Sequence, residues 1–419
     1  MSYDSLYKLY VLNNNDVFNK IYNNRFNSES TIHLSFTINK NPSFFFLHKD
    51  ISNQIEKLTC LKYEVNDLFT SLPEASLTQY IKKSLIDEIY FTNEIEGIIS
   101  TRQEIHDVID DLSRKDKNKR FSSIINKYKL LIDGIDIPLN ESKDIRNLCD
   151  ELLYKEVIKD DLKNELDGEL FRKEMVYLKG SGDRILHKGA YPEEEIISRC
   201  NKLLNLINSN IFTNDYIKTA VFHYIFAYIH PFYDGNGRLN RFISSFLLSK
   251  THFKIIAYRL SSTIKENHSQ YLKAFDHTND PRNKGDISTF VYEFLDILIK
   301  SYENTKIYLL DKIDIYEKYK IKINKLNITK TAKKIINVLI QSDLFSLLPL
   351  NIDQLQDISK LKLSSCNKAL KELNDLDLLN KELYKSLKLY SVKLENLLGD
   401  VFSFFFYTIQ ILILRTNAK

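Results

Sequence analysis

A chain of 419 residues with only ten glycines and seven prolines has few places where a helix must stop. These residues are the main interrupters of regular structure, glycine through backbone entropy and proline through its missing N–H and its clash with the preceding turn. Where they are this sparse and apolar residues recur at intervals of three and four, the expected fold class is mainly α. The length predicts two to three domains, with enough chain to bury a sizeable core. Hydrophobic residues make up 43% of the sequence and charged residues 27%, which is ordinary for a globular chain. The net charge of +4 is spread without a polybasic block, and so argues for neither a dominant nucleic-acid nor a dominant membrane role. Cys60, Cys149, Cys200 and Cys366 lie far apart with no CxxC pair. They read as buried thiols in a reducing compartment, not as a zinc site or a disulfide framework. The N-terminal stretch MSYDSLYKLYVLNNND lacks a basic start followed by an apolar core. No secretory leader is expected from it, and the expected location is cytoplasmic.

One stretch breaks the pattern. Residues 230–241 read HPFYDGNGRLNR, with two glycines, two asparagines, an Asp and two arginines close together. Asp-Gly and Asn-Gly are hairpin signals, but the flanks decide against a hairpin. Upstream, Phe222, Ile225, Phe226 and Ile229 are spaced as one helical face, and downstream so are Leu239, Phe242, Ile243, Phe246 and Leu247. The segment predicts a helix-loop-helix whose DGNG loop opens the second helix, where backbone N–H groups lack partners and the macrodipole is positive. That is an anion site. Arg238 and Arg241 fall in the same first turn, where the dipole disfavours cations by roughly 0.3–1 kcal/mol each, a penalty a polyphosphate would offset. Asp234 is a hard oxygen donor suited to Mg²⁺, and His230 is a base near neutral pH. Together these residues make a phosphate-transfer constellation.

The stretch resembles, at every fixed position, the Fic-family signature His-Pro-Phe-x-Asp/Glu-Gly-Asn-Gly/Lys-Arg-x-x-Arg. Most proteins of that family resemble AMP transferases, which move the adenylyl group of ATP onto a Ser, Thr or Tyr hydroxyl of a target protein. A sister group resembling the Doc toxins carries Lys where this chain has Gly237 and transfers the γ-phosphate, so Gly237 points to AMP transfer. The resemblance implies that His230 deprotonates the target hydroxyl and Asp234 holds Mg²⁺ across the α- and β-phosphates. It further implies that Gly235, Asn236 and Gly237 cradle phosphate oxygens while Arg238 and Arg241 hold the leaving pyrophosphate. Pro231 and Phe232 end the first helix and anchor the loop.

Other segments take meaning from the same resemblance, which covers residues from about 45 to 300. In YFTNEIEGIISTRQEI, Thr92 and Glu96 share a helical face and Gly97 supplies an interruption. By itself this is an ordinary helix end; beside the motif it matches the family's inhibitory pattern Ser/Thr-x-x-x-Glu-Gly/Asn, which implies that Glu96 restrains the enzyme by reaching Arg241 and can also assist removal of AMP. Met175–Leu178 and Arg184–His187 flank the turn residues Gly180, Ser181, Gly182 and Asp183 and predict a β-hairpin. By resemblance this is the flap that pairs with the target by strand addition, with Leu186, His187 and Gly189 as docking residues. Tyr271 is the candidate for the adenosine pocket, although it is equally spaced as a core residue with Phe275.

The expected organisation is an N-terminal helical region over 1–135 carrying the inhibitory helix at about 88–97, a catalytic core over 136–305 with the flap at about 175–187, and a helical linker over 306–328. A winged helix-turn-helix over 329–398 and an apolar tail over 399–419 follow. The winged helix rests on three amphipathic segments. They contain Ala332, Ile335, Ile336, Leu339 and Ile340, then Ile352, Leu355 and Ile358, and then Cys366, Ala369, Leu370 and Leu373, the last opening with Ser364 and Ser365 as cap candidates. LYKSLKLYSVKL supplies the closing hairpin. In the third segment Lys368 and Lys371 are balanced by Glu372 and Asp375, so a protein-docking or dimerisation role is favoured over DNA. The tail VFSFFFYTIQILIL is shorter than the roughly 20 residues that span a bilayer, and no membrane partner is expected.

Two function classes follow. The leading one is an ATP- and Mg²⁺-dependent adenylyltransferase acting on an unidentified target protein, restrained by Glu96, with de-AMPylation, self-modification and homodimerisation left open. The alternative is a winged-helix regulator, binding DNA or protein, whose Fic site senses nucleotide or transfers another phosphate-containing group.

Overall fold

A computed structural model describes residues 3–112, 119–179, 185–251, 254–385 and 387–398. The expected apolar tail over 399–419 and the expected turn Gly180–Asp183 lie outside the described residues. The fold is mainly helical, as the scarcity of Gly and Pro predicts. The described residues fall into two compact units, one from Met1–Tyr63 and Ser84–Asn304, the other from Glu64–Lys83 and Thr305–Lys419.

The first unit opens with α1 (Leu6–Leu12) and α2 (Asn15–Phe26), capped by the side chains of Ser5 and Asn14. A two-stranded antiparallel hairpin follows, β1 (Thr31–Ile38) and β2 (Asn41–Phe46), inside the region expected to be helical. Its signal was in the sequence: Leu34, Phe36 and Ile38 alternate with exposed positions, and Asn39 and Lys40 make the turn with φ of 46° and 69°. Leu6, Phe18 and Phe44 form a small buried cluster that seats the hairpin on α1 and α2. Arg25 pairs with the buried Asp286 at 3.3 Å, tying α2 to a distant loop.

α3 (Lys49–Ser71) and α4 (Glu74–Ile95) each contribute residues to both units. After them come α5 (Arg102–Leu112), α6 (Ser122–Asp133), α7 (Ser142–Leu152) and α8 (Tyr154–Asp160). The predicted flap is a hairpin of β3 (Tyr177–Lys179) and β4 (Ile185–Lys188), with Tyr177 opposite Lys188 and Leu178 opposite His187. The core of the unit is α9 (Glu193–Asn208), α10 (Asp215–Ile229), α11 (Asn236–Ser249), α12 (Leu260–Glu266) and α13 (His268–Asn279), followed by the start of α14 (Ser288–Lys325).

The second unit carries the C-terminal module: α15 (Lys330–Phe345), β5 (Leu350–Asn351), α16 (Ile352–Ser359), α17 (Leu363–Asp375), β6 (Leu379–Tyr384), β7 (Leu387–Val392) and α18 (Leu394–Leu398). Its three helices α15, α16 and α17 and the hairpin β6–β7 follow the element order expected from the sequence, with the strands in the order β5-β7-β6. The short β5 adds a third strand to the expected hairpin by pairing Leu350 with Tyr390. The cap expectation at Ser364 and Ser365 is corrected. α17 starts at Leu363 with Lys362 at the cap position and no side-chain cap bond, so both serines lie inside the first turn. The expectation of four buried thiols is also corrected, because Cys60 is exposed on α3 while the other three are buried. Among the described residues no helix is long and apolar enough to cross a membrane.

Candidate active site

α10 is apolar nearly all round, and Phe222, Ile225, Phe226 and Ile229 are all buried. Burying each such side chain removes surface worth about 1.5–3 kcal/mol, so the position of this helix is strongly determined. It ends at His230, whose backbone is left-handed with φ 53° and ψ 64° and whose N–H still reaches Phe226 O at 3.0 Å. Pro231 has no N–H with which to extend the ladder. Burial, together with the neighbouring His187 and Arg172, pushes the His230 imidazole down to about 4 against the opposing field of Glu96. A neutral imidazole at pH 7 is free to accept a proton.

The loop is shorter than DGNG, since α11 already begins at Asn236 with Gly235 as its cap residue at φ 82°. Asn236 clamps the loop by accepting from Phe232 N at 2.9 Å and donating to Phe232 O at 2.8 Å. Phe232 itself is buried edge-on against Phe171. Arg238 and Arg241 stand in the first turn with 1% and 2% of their surface exposed, an arrangement that requires partners for the charge. Arg238 Nη2 donates to Asp234 Oδ2 at 3.2 Å, and Nη1 lies 3.5 Å from Glu156 Oε2. Its Nε and Nη1 have no hydrogen-bond partner among the described residues. A buried guanidinium at a helix N-terminus whose Nε and Nη1 make no hydrogen bond is suited to an anion.

Asp234 accepts Gly235 N–H at 2.6 Å while its side chain remains 37% exposed. Among the described residues no group of three or more His, Cys, Asp or Glu is placed to hold a metal unaided. One open carboxylate beside an anion site is the donor set that Mg²⁺ uses when phosphate oxygens and water complete its shell, so Asp234 fits that ion.

Arg241 is engaged by α4 through its Nε and Nη2. Its Nε donates to Thr92 Oγ1 at 2.8 Å, and its Nη2 donates to Thr92 O at 3.0 Å and to Glu96 Oε1 at 2.7 Å. Burial alone would push the Glu96 carboxyl up, but Arg241, with the fields of Arg238 and His230, holds it below the ordinary range. Gly97 ends the helix at φ 73°, with Ile98 N–H reaching back to Asn93 O at 2.9 Å, and a Cβ there would touch nothing. Glycine serves the left-handed turn rather than the space. At Gly237 the reverse holds, because a Cβ would collide with Glu96 Oε1.

Two flap residues are placed at the catalytic end. His187 Nε2 bonds Tyr228 O at 2.7 Å, and Gly189 sits where a Cβ would strike Arg172. Leu186 lies in β4, and its side chain is outside the described residues. Arg172 was not identified from the sequence, where nothing marks it. Its fully buried guanidinium donates to His230 O from Nε at 3.0 Å and from Nη2 at 2.9 Å, to Ala190 O at 2.8 Å and to Glu174 O at 2.6 Å. It thereby fixes the left-handed turn of His230 and the base of the flap together. Glu193 supports the approach by accepting the N–H groups of Glu169, Leu170 and Phe171.

A cavity of about 310 Å³ adjoins these groups, bounded by Glu96, His230, Gly237, Arg241, Tyr271 and Phe275 among others. Tyr271 therefore lines a pocket and also packs in the core. Its hydroxyl is committed to the buried His223 at 2.7 Å, and His223 in turn bonds Ser244 at 2.8 Å. Asn240, also missed from the sequence, lines the cavity with a buried Oδ1 that has no partner among the described residues.

The Fic/DOC family model matches residues 141–248, which contain His230, Asp234, Arg238 and Arg241. Two curated relatives, both called Protein adenylyltransferase Fic, come from Drosophila grimshawi and Drosophila mojavensis. The first is 27% identical over 54% of this chain and 44% of its own length, the second 26% identical over 54% and 43%. The chain thus spans less than half the length of these relatives. A crystal structure of a Fic family protein from Desulfovibrio desulfuricans G20 shares the fold, with TM-score 0.51 and 17% identity over 83% of this chain and 97% of that one. The helix-loop-helix with its two buried arginines thus lies inside the region of this chain that matches the Fic/DOC family model, and the chain resembles that family there.

Proposed function

We propose that this chain transfers AMP from ATP to a Ser, Thr or Tyr hydroxyl of a target protein and that Glu96 restrains it. The observation that carries the reading is the pair of buried guanidiniums on the first turn of α11, one whose Nε and Nη1 make no hydrogen bond, beside a cavity of 310 Å³ walled by Tyr271 and Phe275. That combination suits a nucleoside triphosphate: an aromatic-walled space for the base and a cationic helix start for the phosphates. His230, neutral at pH 7, takes the proton of the incoming hydroxyl. Asp234 would hold Mg²⁺, which supplies charge neutralisation to the phosphates. Arg238 and Arg241 bind the leaving pyrophosphate, so the protein's contribution is positioning and electrostatic stabilisation.

Glu96 occupies Arg241, one of the two phosphate clamps, and this supports restraint. With that clamp engaged, ATP is held out of line for attack, and a misplacement of about 1 Å costs on the order of a hundredfold in rate. By the family resemblance the same carboxylate orients water for the reverse reaction, so removing it should abolish any de-AMPylation. In the C-terminal module, Glu372 on α17 accepts from Thr329 N at 2.8 Å and keeps a negative charge beside Lys368 and Lys371, which favours a protein partner over DNA there.

The test uses ATP labelled at the α- or the γ-phosphate with wild type, Glu96→Gly and Glu96→Gly/His230→Ala. The expected result is weak α-label incorporation by wild type and at least about tenfold more by Glu96→Gly. The double variant should lose about 10²–10⁴ of that rate. Label entering protein only from the γ position would replace AMP transfer by phosphoryl transfer. Equal α-labelling by wild type and Glu96→Gly would remove the restraint.

A further inference from the structure

A second cavity, of about 630 Å³, opens beside the flap and shares His187, Tyr228 and Asn279 with the nucleotide cavity. Its wall combines the β1–β2 turn, the end of β4 and one side of α9. Among its described lining residues Lys40, Lys188 and Arg199 are cations, and none is Asp or Glu. Lys40 and Lys188 are exposed and have no ion-pair partner among the described residues. Arg199 Nε donates to Glu195 Oε1 at 2.6 Å, which leaves the rest of its fork available.

The charge is held in place. Asn39 N–H donates to Tyr228 Oη at 3.1 Å and its side-chain amide to Asn279 O, pinning the turn that carries Lys40 to the end of α10 and to α13. Lys188 follows His187, whose ring is bonded to Tyr228 O. The groove therefore runs along the elements that position His230 and presents cations on both of its walls.

We propose that this groove reads acidic side chains of the target polypeptide, so that the hydroxyl delivered to His230 comes from a segment bearing Asp or Glu near the modified residue. The proposal rests on the AMP-transfer reading. The occupant is a peptide rather than the nucleotide, because on that reading the phosphates bind at Arg238 and Arg241, neither of which lines this groove. Three cations at close range select by charge, and partly exposed pairs are each worth about 0.2–1 kcal/mol and weaken with salt.

The experiment measures binding and transfer separately. Fluorescent acceptor peptides with a central Thr flanked by Asp and Glu, by Gln and Asn, or by Lys are bound to His230→Ala protein and read by anisotropy. They are then offered as acceptors to Glu96→Gly protein with α-labelled ATP. The acidic peptide should bind about tenfold more tightly than the basic one at low salt, with the gap closing at high salt. Lys40→Glu/Lys188→Glu should reverse that order; Lys40→Gln/Lys188→Gln, which is gentler on the turn, should flatten it. Equal binding of all three peptides, or an order unchanged by the charge-reversed variant, would overturn the groove assignment, as would tighter binding of an oligodeoxynucleotide than of the acidic peptide. If the peptide order holds but no α-label is transferred, the groove stands and the AMP-transfer reading falls.

Discussion

At the scale of single residues the site is built on one missing side chain. Gly237 lets the Glu96 carboxylate approach the first turn of α11, where any Cβ would collide with Oε1. Glu96 and Arg241 are thus coupled to Gly237 by shape as well as by charge. Gly237→Ala should cost about 1–3 kcal/mol of folding stability through overpacking and loss of the ion pair, and much less when Glu96 is already Gly. The double-mutant cycle of Gly237→Ala with Glu96→Gly, read by urea denaturation, should give a coupling of at least about 1 kcal/mol. Additive effects would show that the collision is relieved by a side-chain shift. The pairing of Thr92 and Glu96 on one helical face was visible in the sequence, but its partner was visible only by resemblance, since Arg241 lies 145 residues from Glu96.

At the scale of elements, the catalytic end depends on a staple between α10 and the flap. Arg172 spends its whole guanidinium on backbone carbonyls of His230, Ala190 and Glu174, so it joins the end of a helix to the base of a hairpin with no carboxylate involved. Arg172→Ala leaves the half-buried His230 carbonyl and the buried Ala190 carbonyl without these donors, at about 1–3 kcal/mol for each group left unmade. The expected outcome is a loss of several kcal/mol in urea denaturation. In Glu96→Gly background, kcat should fall at least about tenfold while KM for ATP stays within about twofold, because Arg172 holds the backbone of His230 and does not line the 310 Å³ cavity proposed for the nucleotide. A rise in KM for ATP with kcat intact would place the effect on the phosphate site instead. Helix periodicity foresaw α10 and α11, and a cluster of turn residues foresaw the hairpin. Neither foresaw Arg172, because an arginine before a strand has no spacing signature; only its burial shows what it does.

At the scale of the whole molecule, each unit buries one carboxyl that burial raises to about 7: Glu88 in the first, Asp343 in the second. Glu88 receives Ser261 N–H at 2.8 Å and the Tyr128 hydroxyl, with Arg241 adding an opposing field, and Asp343 receives Val392 N–H at 2.7 Å. Both folded values lie above the unfolded ones, so each group contributes stability that is present below about 4 to 4.5 and is lost as pH rises through about 7. Acidification from pH 8 to pH 5 should therefore stabilise the protein, by up to about 3 kcal/mol for each group. Urea denaturation of Glu88→Gln and Asp343→Asn at the two pH values should each remove one share of that gain; full pH dependence in both variants would locate the titration elsewhere. The sequence by itself determined the helical class, the helix-loop-helix of the motif, the flap strands and the winged-helix element order. Those features are written in periods of three to four and of two, and in turn residues close together in the chain. Tertiary structure alone decided that Arg172 holds His230, that Tyr271 both lines a cavity and bonds His223, and that Glu88 loses its solvent. Such contacts join residues tens to hundreds of positions apart, and their energies come from desolvation and close packing, which no local spacing records.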